Sequence, residues 1–546
     1  MTTKTQKIQQ NKYKRKNKTI KKNKYGKRKL VGGRVIASGG YGCVFKPALK
    51  CQGKPRDPSQ ITKLMTIKHT DQEYAEIVKF KHVLSTIPNY GNYFLLEDIT
   101  FCKPDTLSEE DLADYEKKCT ALKKDDITHE NINSKLDKVL ALNMPNGGLD
   151  IGDYFETHKN DEDIIQLNNA LLDLFQNGII PMNQLHVYHC DVKESNILVQ
   201  ANAQANALKT RLIDWGLSAE YSPEKGERIP KTLYHRPFQY NVPFSIVLFN
   251  TTFSELYDKF LEKTPEPSYY QLRSFVIDYI IIWMEERGMG HFNVIKGIMK
   301  FLFEPTITGI NKKEQDYIIE FEYAYYYIVE YISKILLKYT VNGEMKMMQY
   351  FSEVFLKNLD VWGFVMSYSP ILEDFYNNYA DLKPNELAFY EKLKYIFITF
   401  LYETSDEAID VSSLVANLQE LNGLLLPEAS TTSTIVPDKQ SPREASKYAL
   451  RESILSRATA SVGPKDVFKK VRFALSSYTK KSKTSSATPI SRSSSKTKSN
   501  SKGKSKKNIS VKKITKLKLK TDANTTSFRP TQPLEPTNLH VARLDS

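Results

Sequence analysis

Cysteine is scarce: the chain has five in 546 residues, at positions 43, 51, 102, 119 and 190, and none form a CxxC pair. A sparse, odd set argues against a disulfide framework and against a zinc site. It predicts free thiols and an intracellular chain. Long apolar runs are missing too. The most apolar stretch, FVIDYIIIWM at 275–284, is ten residues long and contains Asp278, whereas a membrane-spanning helix needs about 20. No membrane span is expected. The opening MTTKTQKIQQ lacks the apolar core of a secretory signal. No internal repeat is present.

Acids are absent from two stretches. Residues 1–30 hold 13 Lys or Arg, residues 481–520 hold 14, and neither holds an Asp or Glu. Removing those 27 bases from 78 leaves 51 against 63 acids, so the remainder carries about −12 although the formal total is +15. The basic character sits in tails and the body is acidic. Both tails are expected to be disordered, the second being Ser/Lys-rich from 426 to 546, with room for a helix or two within 443–478. Clustered lysines would bind nucleic acid or anionic surfaces without sequence specificity. No aromatic platform for base stacking is interleaved with the C-terminal lysines.

Between the tails the composition is 40% hydrophobic and 11% aromatic over the whole chain, enough for a substantial core. Alternating apolar residues with glycines from Leu30 to Lys46 predict a hairpin, and Ile61–Met65 a further strand. Ile77, Phe80, Leu84 and Ile87 predict a helix over 70–87. A charged segment, about 103–138, reads as a surface insertion. VLALNM at 139–144 is a strand, 161–176 a helix, and NILV and RLID are short strands. From about 251 to 355 helical periods dominate.

Several motifs carry chemistry. In VIASGGYGCVF (35–45) glycines between two strands permit a tight turn whose N–H groups can approach phosphate oxygens; alone, such a hairpin says little. Lys63 lies in the strand ITKLM, 24 residues after Gly39. A lysine held in a cleft to grip phosphates needs an acidic partner, and the next helix offers Glu73 and Glu76. The stripe of Phe80, Leu84 and Ile87 favours Glu76. In HCDVKESN, Asp191 can accept a hydroxyl proton, Lys193 can stabilise charge on a phosphoryl group, and the Asn196 oxygen can ligate magnesium. LIDWG places Asp214 after an apolar strand, where a carboxylate can hold the metal that bridges ATP phosphates.

Glycine loop, strand lysine, helix glutamate, HxDxKxxN and DxG stand in that order, and in this the chain resembles eukaryotic-type serine/threonine protein kinases. YHCDVKESNILV, DWG and RPFQYNVPFSIVLFN look most like kinases of giant (nucleocytoplasmic large) DNA viruses. The resemblance implies an α+β, bilobal fold: a β-rich N-lobe at 31–145, and a helical C-lobe at 146–425 with a helical insertion at about 251–355. It implies ATP and Mg2+ (or Mn2+) in the cleft, and protein substrates with Ser or Thr acceptors. Asp191 and Lys193 would be catalytic, and Asn196 and Asp214 would hold the metal. Ala37, Ser38, Gly39, Gly40, Tyr41, Gly42, Val44, Ile61, Lys63, Glu76, Leu142, Met144 and Leu198 would line the nucleotide site. A viral origin would place the protein in the host cytoplasm, nucleus or virion.

The chain departs from that pattern in places. Ala37 replaces the first loop glycine, Ile61 a small residue over adenine, and Trp215 the usual phenylalanine. No Ala-Pro-Glu follows the DWG; RPFQYNVPF takes its place. DVWGF (360–364), 146 residues after Asp214, resembles the helix whose aspartate anchors the catalytic loop. Cys190 stands where many kinases carry an arginine that pairs with an activation-segment phosphate. A neutral thiol cannot do this, so no such dependence through residue 190 is expected. The competing expectation is a catalytically silent scaffold binding nucleic acid or acidic partners through its tails. A kinase of small molecules or lipids is a third.

Overall fold

Apolar stretches on either side of the glycine turn, and the ITKLM run after it, form adjacent strands: β1 (Arg34–Ser38), β2 (Gly42–Lys46) and β3 (Gln60–Thr66). With β4 (Thr100–Cys102) and β5 (Val139–Pro145) they make an antiparallel sheet in the order β1-β2-β3-β5-β4. This computed structural model describes residues 33–202, 207–226 and 228–426. The tails expected at 1–30 and beyond Leu426, and the helices expected within 443–478, lie outside those residues.

Strand alternation sends Leu64 and Ala141 to one core and Met65 and Leu142 to another. The second is covered by the helix α1 (Ile67–Leu84), through Ile77, Phe80 and Leu84. The first is covered by the 103–138 segment, which corrects the reading of that segment as a surface insertion. Its Leu107, Leu112, Tyr115, Leu122, Ile127 and Ile132 are buried against Val35, Phe45 and Leu64. The segment is made of brief turns such as Tyr115–Lys118 and Leu122–Asp125, too short to show a periodic stripe. Asp111, 2% exposed, fastens it. Its carboxylate accepts from Arg56 Nη1 (2.8 Å) and Nη2 (2.9 Å) and from the Ser108 N–H (3.0 Å).

Two disulfides correct the expectation of free thiols. Cys43 pairs with Cys119 and Cys51 with Cys102, with Cα atoms 5.3 and 5.8 Å apart, inside the usual span of about 4.4–6.8 Å. The partners lie 76 and 51 residues apart in sequence, so no local spacing announces them. Among the described residues Cys190 alone is a free thiol. Disulfides belong to oxidising surroundings, so the cysteine-based reason for an intracellular chain falls. Among the described residues no helix is long and apolar enough to cross a membrane.

After Leu149 the chain is mainly helical, so the whole is a mixed α+β structure with the sheet in its N-terminal part. The helix Asp161–Leu174 is capped by Asn160, which accepts from the Asp163 N–H (2.8 Å). Short strands flank it: β6 (Leu149–Asp150) before it, and β7 (Val187–Tyr188), β8 (Ile197–Asn202), β9 (Ala207–Leu212) and β10 (Ala219–Glu220) after it. They pair as β6-β8-β9 and β7-β10. The loops 189–196 and 213–218 therefore leave neighbouring strand ends. The region after 250 is helical as expected, with Thr251–Lys263, Tyr269–Arg287, Phe292–Phe303 and Tyr325–Tyr339. It leads into Leu356–Met366, a helix buried everywhere except Lys357.

Candidate active site

The sheet register gathers one set of side chains on one face. Ala37 pairs with Val44, Val44 with Lys63, Lys63 with Leu142 and Ile61 with Met144, and directly paired residues share a face. Val44, Ile61 and Met144 are half-buried there, whereas Leu142 is fully buried behind them. Leu198, opposite Asp150 on β6, packs over Gly147. Gly39, Gly40 and Tyr41 form the exposed turn, closed by a Gly39 N–H to Gly42 carbonyl bond of 2.9 Å. A Cβ on Gly42 would lie 2.3 Å from Met65 and 2.7 Å from the Leu64 carbonyl, so strand packing requires that glycine. Ser38 points its hydroxyl away from this face, toward Thr120 and Ala121.

Lys63 meets Glu73, not Glu76. Its Nζ donates to Glu73 Oε1 at 2.8 Å and Oε2 at 2.7 Å, and lies 3.5 Å from Asp214 Oδ1. Glu76 instead accepts from Gln72 at 3.3 Å. The buried stripe on α1 runs Thr70, Ile77, Phe80, Leu84, and Glu73, not Glu76, continues its alternating three- and four-residue steps. Burial pushes the Lys63 ammonium down, but the charges of Asp214 and Glu73 outweigh it and hold the group above its ordinary value. Burial pushes Glu73 up against the pull of Lys63. The charge of Lys63 holds Asp214 below the usual carboxylate range, so Asp214 stays ionised. Asp214 has φ 66°, a left-handed conformation sparsely populated by residues with a Cβ. Trp215, 2% exposed, packs its ring against Phe80, Phe94 and His189, with centroids 5.6, 5.6 and 5.0 Å away.

The loop after β7 is held from below by Asp360. Its Oδ2 accepts from the His189 N–H and Asn183 Nδ2, both at 2.8 Å, and its Oδ1 from the Cys190 N–H at 2.9 Å. Gly363 lets that helix approach, since a Cβ there would lie 2.4 Å from the Val192 carbonyl. The Asp191 carboxylate is then surrounded by donors. Oδ2 accepts from Lys193 Nζ (2.7 Å) and Asn196 Nδ2 (3.0 Å), and Oδ1 from Asn241 Nδ2 (2.8 Å). Cys190 is fully buried with φ 62°. Burial pushes its thiol up, so it contributes backbone groups rather than a thiolate.

Three residues join the site that sequence reasoning did not single out, all within the RPFQYN run that it had noted. Asn241 holds Asp191 as described. Arg236, 6% exposed, donates from Nη1 to the Cys190 carbonyl at 2.9 Å. Tyr240 donates its hydroxyl to both oxygens of Glu194, at 2.7 and 2.8 Å. Of the predicted residues, Ala37, Val44, Ile61, Lys63 and Met144 share one sheet face, Lys63 reaches Asp214, and the Ile213 N–H beside Asp214 donates to the Asn196 backbone carbonyl at 3.0 Å. A magnesium ion fits the donor set. Asn196 uses its Nδ2 on Asp191, which leaves the carbonyl oxygen as a hard ligand, and the Asp214 side chain is 43% exposed. No group of three or more His, Cys, Asp or Glu among the described residues could hold a metal. Asn196 and Asp214 would supply two ligands, with phosphate and water completing the shell.

No family model matches this sequence, and no curated protein matches it. Among the solved structures it is similar to is a crystal structure of a kinase domain, with a TM-score of 0.23 and 11% identity. The match covers 41% of this chain and 61% of that kinase domain. A likeness so slight does not assign the fold, and the residue geometry stands on its own.

Proposed function

We propose that this chain is a serine/threonine protein kinase of bilobal fold, transferring the γ-phosphate of ATP to protein hydroxyls. The observation that carries the reading is the ion-pair cluster of Lys63, Glu73 and Asp214 together with the hydrogen-bonded group of Asp191, Lys193 and Asn196, the two loops being linked by the Ile213 N–H bond to the Asn196 backbone carbonyl. Lys63, aligned by Glu73, binds the nucleotide phosphates. Asp191 takes the proton of the acceptor hydroxyl on its carboxylate, which Asn241 and Asn196 orient. Lys193 stabilises negative charge on the transferred group. Asn196 and Asp214 would hold a magnesium ion, which would supply neutralisation of phosphate charge. Because Arg236 already ties the RPFQYN run to the Cys190 carbonyl, no phosphate on that run is required to bring the two together. Incubation with ATP, Mg2+ and a mixed protein substrate, followed by phosphoamino-acid analysis, tests the specificity. Phosphoserine or phosphothreonine is expected; phosphotyrosine alone would overturn it.

A further inference from the structure

We propose that Ser38 and the Cys43–Cys119 disulfide are positioning residues for the glycine turn, fastening it to the 103–138 segment and thereby setting nucleotide affinity. The proposal rests on reading the cleft as the ATP site.

Within the turn itself the restraints are light: the Gly39 N–H bond to the Gly42 carbonyl and the Tyr41 ring against His69, centroids 4.5 Å apart. Gly39, Gly40 and Tyr41 are exposed, a Cβ on Gly40 would meet nothing within 4 Å, and glycine gives the backbone wide freedom. A ligand that orders such a turn loses affinity to the ordering entropy. The two residues at the base of the hairpin are gripped instead. Ser38 and Cys43 are register partners across β1 and β2. The Ser38 hydroxyl accepts from the Thr120 N–H (3.2 Å), the Thr120 hydroxyl (3.2 Å) and the Ala121 N–H (3.0 Å). Cys43 is bonded to Cys119. Both strands of the hairpin are thus tied, one and two residues from the turn, to the consecutive residues 119–121.

Alternation puts these ties on the correct side. Ala37 and Val44, the next register pair, face the cleft, so Ser38 and Cys43 face away from it. The turn is fastened without filling the nucleotide space. The anchor is itself rigid, because Cys119, Ala121 and Leu122 lie in the buried cluster beneath the sheet and Asp111 pins the same segment to Arg56. Neighbouring Cys51–Cys102 joins the chain after β2 to β4, away from the turn, and serves as a control.

The test uses the full chain with Ser38→Ala, the double variant Cys43→Ser/Cys119→Ser, and Cys102→Ser. Calorimetric titration with ATP and Mg2+ gives Kd, and hydrogen exchange reports the amides of residues 39–42. The first two variants are expected to weaken ATP binding at least about threefold and to speed exchange at the turn. Cys102→Ser is expected to lower Tm while leaving both readouts unchanged. Parent-like Kd and exchange in Ser38→Ala and the double cysteine variant would overturn the inference alone. A parent that binds no ATP would remove the ATP-site reading and the inference together.

Discussion

Two glutamates on one face of α1 compete for Lys63, and the phase of the buried stripe decides between them. Thr70, Ile77, Phe80 and Leu84 are buried, and Glu73 sits in step with them. Glu73→Gln is therefore expected to lower kcat/KM for ATP about tenfold or more, and Glu76→Gln to change it less than about twofold, in steady-state kinetics at varied ATP. Equal losses in both would contradict the pairing. That Asp191, Lys193 and Asn196 meet in one hydrogen-bonded group was legible from their close spacing in HCDVKESN. The Glu73/Glu76 choice was not, because both share Phe80 and Leu84 as neighbours and only Ile77 separates the two phases. Asn241 and Arg236 escaped notice for a different reason. Their role is a hydrogen bond to a loop 46 or 50 residues away, and nothing in the surrounding residues indicates it.

At the scale of elements, the strands and long helices follow from alternation and periodicity, while the 103–138 segment does not. Its apolar residues cover a sheet face from short turns, and Asp111 holds it in place. Burial pushes the Asp111 carboxyl up, but Arg56 and the Ser108 and Gly33 N–H groups outweigh this and keep it below its ordinary 3.8. A carboxylate depressed in the folded state adds stability that is fully present above its unfolded value and is lost as pH falls through the folded one. The thermal midpoint is thus expected to fall with acid below 3.8, and less so in Asp111→Ala. At neutral pH that variant is expected to cost about 3 kcal/mol in denaturant unfolding, since it leaves Arg56 without its partner. An unchanged midpoint would show that the segment is not held this way.

At the scale of the whole molecule, an acidic body carries two basic tails. The 27 lysines and arginines in 1–30 and 481–520 are expected to give sequence-independent binding to duplex DNA. That binding is expected to weaken by about a thousandfold between roughly 50 and 200 mM salt and to vanish for residues 33–426. Salt-independent retention would contradict this. The long separation between Asp214 and Asp360 reflects the helices of the 251–355 region, which intervene in sequence and leave the Asp360 carboxylate on the His189 and Cys190 amides. The disulfides are the large-scale feature least visible beforehand, because they depend on which distant strands become neighbours.

The most direct measurement of the central claim is the rate of γ-phosphate transfer from ATP to a general protein substrate, for the parent and for Asp191→Asn. The parent is expected to transfer phosphate in the presence of Mg2+. Asp191→Asn keeps the side chain's size but removes the proton acceptor, and is expected to be slower by about 10²–10⁴-fold with a circular-dichroism spectrum and Tm close to the parent's. Equal rates in the two proteins, or no transfer by the parent, would contradict the account.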